Sequence, residues 1–238
     1  ALAEEVPESD AALAPIVSSG RAAGLLCKLW DRHYGRIPDF LILEGPEAGG
    51  HLGFSRQDLD APPSLSDLLR EVLTALAPFR DKAGRDIPVF VAGGVKNGAD
   101  MARYMKEGAA GAQFATRFIA TAECDASDGY KQRLLNASPG DITLVKSPVG
   151  MPGRALRSPL IRRVEDGTQP PPERCVKCIV TCDGKNAPYC ISKALIAARN
   201  GDWENGLFFC GAGGGEVNTL STVPEQMAQI MDEWRAAQ

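Results

Sequence analysis

The side chains best suited to proton transfer or ligation in this 238-residue sequence are its two histidines and seven cysteines. His51 stands in GPEAGGHLG, residues 45–53. Glycines at 45, 49, 50 and 53 let the chain turn tightly and bring backbone close to a ligand. A neutral imidazole in such a loop can take a proton from carbon or hydrogen-bond a developing anion near neutral pH. A loop histidine that only satisfies local backbone is the simpler alternative. His33 falls on an expected helix among charged residues and reads as structural or solvated. In VAGGVKNGAD, residues 91–100, Gly93 and Gly94 end a strand just before a helix. Backbone amides in such a turn can hold a phosphate. The spacing matches neither a dinucleotide fingerprint nor a P-loop, and a plain tight connection gives the same pattern. AQFATRF, residues 112–118, sets Ala115 and Thr116 at the end of another strand. Neighbouring strand ends with small residues can share one phosphate, as in many barrels.

Four cysteines, Cys175, Cys178, Cys182 and Cys190, fall within sixteen residues with the spacing C-x2-C-x3-C-x7-C. Four thiolates can close a tetrahedral zinc site or hold an iron–sulfur cluster. The run does not match the ferredoxin pattern and has a single C-x2-C pair, so packed thiols and redox-active pairs stay open. Cys27 and Cys124 read as structural, and the glycines at 211 and 213–215 as a flexible connection or, alternatively, as a segment that approaches the ligand site.

These residues need elements to position them. Short apolar runs at 14–19, 38–45, 87–94 and 109–118 predict strands. Helices are predicted between them over 20–36, 64–86 and 97–108. The first helix carries Ala22, Leu25, Leu26, Leu29 and Trp30 at helical spacing, and the second a stripe from Leu65 to Leu76 with Ser64 or Ser66 as N-cap. Apolar strands alternating with helices imply a parallel sheet covered on both faces, in a β/α barrel or a doubly wound open sheet. Both place ligands at the C-terminal strand edge. Beyond Thr121 a helix over 124–137 and a strand or edge segment over 141–148 are expected. SPVGMPGRALRSPL, residues 147–160, should wind over the surface, and a proline-rich break at 167–174 precedes the cysteines and a helical tail. A boundary near residue 145 would separate a partial barrel, 1–145, from a surface segment and cysteine-rich helical extension, 146–238.

A net charge of −4 offers no basic footprint for nucleic acid. No apolar run approaches the roughly 20 residues of a membrane-spanning helix. The acidic start lacks a signal-peptide pattern, so a reducing cytoplasm is the expectation.

EGPEAGGHLG, IPVFVAGGVKNGADMARYMKEGAAGAQFATRF, CDASDGYKQRLLNA and KSPVGMPGRA together resemble the nitronate monooxygenase family, also called 2-nitropropane dioxygenases, which includes flavin-dependent enoyl-acyl carrier protein reductases. The resemblance runs over about residues 14–160. It implies α/β architecture, here four strand–helix units corresponding to the C-terminal two-thirds of a (β/α)8 TIM barrel member, with FMN at the C-terminal face. On these motifs Gly93 and Gly94 correspond to phosphate-binding glycines and Ala115 with Thr116 to the second phosphate loop. Gly49 and Gly50 correspond to the loop beside the flavin, and His51 to the active-site histidine. The implied activity is FMN-dependent oxidation of alkyl nitronates with O2 to a carbonyl compound and nitrite. The alternatives are an NAD(P)H-dependent flavin or enoyl-thioester reductase, and a non-catalytic subunit with a metal-binding tail. A homo-oligomer, or a partner completing the barrel, is also expected, because an open half-barrel leaves strand edges unpaired.

Overall fold

The computed structural model describes residues 11–180 and 182–238. Its contacts divide the chain into two compact units. One comprises the described residues through Pro46, with Asp58–Phe114 and Ile230–Gln238, and the other Glu47–Gln57 and Ala115–Gln229. The chain thus passes between units four times, and not once near residue 145.

In the first unit the apolar runs form a parallel sheet. Strands β1 (Ile16–Val17), β2 (Leu41–Glu44), β4 (Val89–Ala92) and β5 (Gly111–Ala112) lie in the order β1-β2-β4-β5. Ile42 pairs with Ile16 on one side and Phe90 on the other, and Val91 with Ala112. Sequential strands sit side by side with helices in the connections, which is the α/β strand–helix repeat expected of the chain. Leu41, Leu43, Val89 and Val91 are buried, each side chain contributing about 1.5–3 kcal/mol by leaving water.

After the short helix α2 (Arg56–Asp60), helix α3 (Leu65–Ala83) buries Leu65, Leu68, Leu69, Val72 and Leu76, the expected stripe. Ser64 caps it by accepting the Asp67 amide, and Gly84 ends it in a left-handed conformation at φ 61°. Helix α1 (Gly20–Tyr34) departs from expectation. It buries Gly20, Ala23 and Cys27, while Leu25 and Leu29 are exposed. The reason is close packing on α3: a Cβ at Gly20 would stand 2.7 Å from the Glu71 carbonyl oxygen. Small residues, not large ones, therefore mark its inner face. Burial also pushes the Cys27 thiol up to about 11.

Strand β5 is far shorter than the 109–118 run suggested. At Ala115 the backbone leaves the extended region (φ −130°, ψ −57°) and a short helix, α5 (Thr116–Ile119), begins. Helix α4 (Gly98–Lys106) starts at the expected Asn97 cap, whose side chain accepts the Asp100 amide. The C-terminal part of α9 (Val223–Ala236) packs here, where Glu233 accepts the Gly98 amide at 2.8 Å. A Cβ on Gly98 would meet the Ile230 carbonyl oxygen at 2.0 Å, so only glycine fits.

The second unit is built on an antiparallel sheet that the sequence reading did not foresee in full. Strands β3 (Gly50–His51), β6 (Ile142–Lys146) and β7 (Pro152–Leu156) lie in the order β3-β7-β6. The stretch expected to wind over the surface instead supplies the central strand, with Ala155 and Leu156 buried, and then helix α7 (Pro159–Glu165). Pro152 is tolerated because it is the first residue of its strand. Helices α6 (Asp128–Leu135) and α8 (Ile191–Arg199) flank this sheet, and Phe208, Leu156 and Leu134 fill one of its two apolar clusters. Among the described residues no helix is long and apolar enough to cross a membrane.

Candidate functional site

His51 is presented by strand pairing. In the β3–β7 register His51 faces Gly153 and Gly50 faces Arg154. A bond from the Leu52 amide to the Pro152 carbonyl, 2.9 Å, continues the ladder. The imidazole Nε2 lies 2.7 Å from Ser147 Oγ, and the ring meets Phe209 edge-on at 5.2 Å between centroids. Ser147 is buried, at 5% exposed, and also accepts the Val149 amide at 3.4 Å. Partial burial pushes the His51 pKa below its ordinary 6.5, which keeps the ring neutral and able to accept a proton near pH 7.

The loop before His51 is held at several points. Arg154 donates through Nη1 to the Ala48 carbonyl at 2.7 Å, and the Ala212 amide donates to the Glu47 carbonyl at 3.0 Å. Gly49 lies so close to the Cys210–Gly211 backbone that a Cβ would stand 2.4 Å from the Cys210 carbonyl carbon. Gly50 adopts φ 77°, a conformation that favours glycine. The glycine run beginning at 211 is therefore no flexible connection. It forms a 3-10 turn over Ala212–Glu216, and the Gly211 amide donates to Thr116 Oγ1 at 2.9 Å. Burial pushes the Cys210 thiol up to about 12, so it stays neutral beside Arg154.

Gly49, Gly50, His51, Ala115 and Thr116 all belong to the second unit, and Gly93 and Gly94 to the first. At the C-terminal end of β4, Gly93 (φ 65°) and Gly94 (φ 132°) turn the chain away from the sheet. Beside them Gly45 must be glycine, because a Cβ there would lie 2.2 Å from the Gly93 carbonyl oxygen. The amides of Lys96, Gly98 and Asp100 are bonded to side chains. Those of Gly93 and Gly94 carry no hydrogen bond to protein among the described residues. Two open amides on a glycine turn are a donor set that fits a phosphate oxygen. Thr116 accepts from Gly211 and retains its own O–H as a donor.

The four clustered cysteines are not brought into a ligand set. Among the described residues no group of three or more His, Cys, Asp or Glu side chains is arranged to hold a metal ion. Cys175 and Cys178 are exposed, and all four thiols are free. Desolvation, followed by the nearby Cys175, Cys178 and Cys190, pushes the Cys182 thiol up. His33 is exposed, in line with a solvated role.

Sequence reasoning missed Ser147, Arg154 and Phe209. Ser147 and Arg154 sit in a stretch rich in proline, glycine and arginine, and their partners lie about a hundred residues away. Only the SPVGMPGRA motif itself marked the place.

The nitronate monooxygenase family model matches residues 2–233. A (3aS,4S,5R,7aS)-5-hydroxy-7a-methyl-1-oxo-octahydro-1H-indene-4-carboxyl-CoA dehydrogenase of Mycobacterium tuberculosis (strain ATCC 25618 / H37Rv) is 35% identical over 131 residues, 55% of this chain and 33% of that protein. Nitronate monooxygenase npaC of Metarhizium robertsii is 37% identical over 110 residues, 46% of this chain and 28% of the relative. The aligned part thus spans about a third of these curated relatives' length. FabK from Thermotoga maritima superposes with a TM-score of 0.73 at 25% identity, covering 98% of this chain and 63% of that structure. A family match over nearly the whole length, on an α/β frame shared with FabK, settles the affiliation: the chain belongs to the nitronate monooxygenase family.

Proposed function

We propose that the chain carries the proton-handling residues of an FMN-dependent oxidoreductase that converts alkyl nitro compounds, through their nitronates and with O2, to carbonyl compounds and nitrite. The observation that carries this reading is the 2.7 Å bond between His51 Nε2 and buried Ser147 Oγ. With the proton on Nε2 donated to Ser147, Nδ1 keeps its lone pair and can accept a proton from the carbon next to a nitro group. The imidazolium so formed keeps the Ser147 bond. Phe209 covers one side of the ring and limits its contact with water. Gly93 and Gly94 would hold phosphate oxygens of FMN through their open amides, and Ala115 with Thr116 would offer a small side chain and a hydroxyl donor. Gly49 and Gly50 would let backbone lie against the ring system. Bound FMN would supply the electron acceptor that no side chain here provides.

The test is nitrite release from a nitroalkane by the chain supplemented with FMN. Nitrite formation that His51→Asn reduces at least ~100-fold, the usual scale of a general base, supports the reading. A protein that stays colourless and takes up no FMN overturns it for this chain. A second reading, an NAD(P)H-dependent flavin or enoyl-thioester reductase, is favoured by the 35% identity over 131 residues to a protein named as an octahydroindene-carboxyl-CoA dehydrogenase. NAD(P)H consumption without nitrite release would select it. In either reading the substrate is a small molecule.

A further inference from the structure

The guanidinium of Arg154 reaches from the central strand of the antiparallel sheet to the carbonyl of Ala48, three residues before the candidate base. It is half-buried, and it bridges 106 positions in the chain. Arg154 lies opposite Gly50 in the β3–β7 register, and its own carbonyl accepts the Cys210 amide at 3.4 Å. Phe209, the residue before Cys210, is the ring that packs against His51. Burial pushes the Arg154 pKa below its ordinary value, and the nearby Glu47 carboxylate opposes that shift by favouring the charged guanidinium. Arg154 therefore touches both sides of the imidazole's setting, the loop that carries it and the strand-like segment that covers it. Gly49 and Gly50 leave that loop little stiffness of its own, since glycine has the largest conformational freedom to lose. A charged donor on a buried carbonyl is a strong fixing point for such a loop.

We propose that Arg154 is the positioning residue for His51: by clamping the Ala48 carbonyl it fixes the glycine loop so that the imidazole is held between Ser147 and Phe209. The proposal rests on the reading of His51 as the base, but its test does not need turnover. With only two histidines in the chain, each imidazole gives one resolvable Cε1–H signal, and exposed His33 serves as the internal reference. The measurement is the nuclear Overhauser contact between the His51 and Phe209 rings at alkaline pH, where both imidazoles are neutral and loss of the arginine charge does not alter protonation. In wild type the contact is expected. In Arg154→Gln it should vanish and the His51 shift move toward that of His33, while Arg154→Lys, which keeps a charged donor, should restore both. An Arg154 that only stabilised the unit would lower the melting temperature and leave the ring contact intact in the folded protein. Arg154→Met, which keeps the apolar stem without a donor, is the second variant and is read the same way. An unchanged His51–Phe209 contact in either variant, or global unfolding of both, overturns the proposal. Where wild type releases nitrite, Arg154→Gln should lower kcat by about 10–100-fold with KM little changed, as a misplaced base would. Where wild type shows no turnover, the proposed function fails and the ring contact still decides the role of Arg154.

Discussion

Two regions of the second unit crowd reactive side chains, and they are built in opposite ways. Around His51 every element is pinned. Two strand-paired residues, a buried serine, an arginine on a carbonyl and a glycine where a Cβ would stand 2.4 Å from backbone all constrain the segment that carries the imidazole. Around Cys175–Cys190 no strand or helix precedes α8 among the described residues. Val176 and Val180 stand 83% and 103% exposed, and Arg174 and Lys177 take left-handed φ values of 52° and 53°. Reactive residue types are as dense in the second region as in the first. Density of chemistry-bearing residues is thus a weaker sign of a site than the backbone closure that aims them.

The largest expected effect comes from breaking that closure. Gly49→Ala places a methyl group against the Cys210–Gly211 backbone and should cost about 3 kcal/mol of stability, read as a lowered denaturation midpoint. Ser147→Ala removes the hydroxyl that holds Nε2. It should reduce nitrite turnover by about tenfold, the scale of a lost hydrogen bond to a group that becomes charged, with the fold retained by circular dichroism. The pH profile comes next. Because burial holds the His51 pKa below 6.5, kcat/KM should be level near neutrality and fall only as pH drops through that depressed value, where the base becomes protonated. An acid limb centred above 6.5 would contradict the burial of the ring.

The smallest effect sharpens the other side of the comparison. Under native conditions a thiol reagent should label exposed Cys175 and Cys178 fast. Cys27 and Cys210, whose pKa values burial raises to about 11 and about 12, should react at least ~100-fold more slowly. Protection of all four clustered cysteines by added zinc, with one zinc retained per chain, would show a ligand set that closes only around the metal.

The parallel half of the fold was legible because its signals are local and periodic. The stripe from Leu65 to Leu76, the Ser64 and Asn97 caps and the apolar strands all announce themselves within a dozen residues. The Gly93–Gly94 turn was legible for the same reason, since it lies directly beyond β4, and the glycine loop that leads to His51 follows β2. The inner face of α1 was misread because Gly20, Ala23 and Cys27 pack by being small, whereas periodicity arguments follow large residues. The partners of His51 were hidden for a different reason. A two-residue strand leaves no alternation to detect, and pairing Gly50 with Arg154 depends on register across more than a hundred residues. The cysteine spacing was legible as a pattern, but spacing alone does not say whether the backbone draws the sulfurs together.

Proton removal from substrate carbon is the role proposed for His51. The most direct measurement compares nitrite release by wild type and His51→Asn, both supplied with FMN, on a neutral nitroalkane and on its pre-formed nitronate. A loss of at least ~100-fold is expected on the neutral nitroalkane, with the nitronate, which has no proton left to give, much less affected. Equal losses on both substrates, or no loss on either, would contradict it.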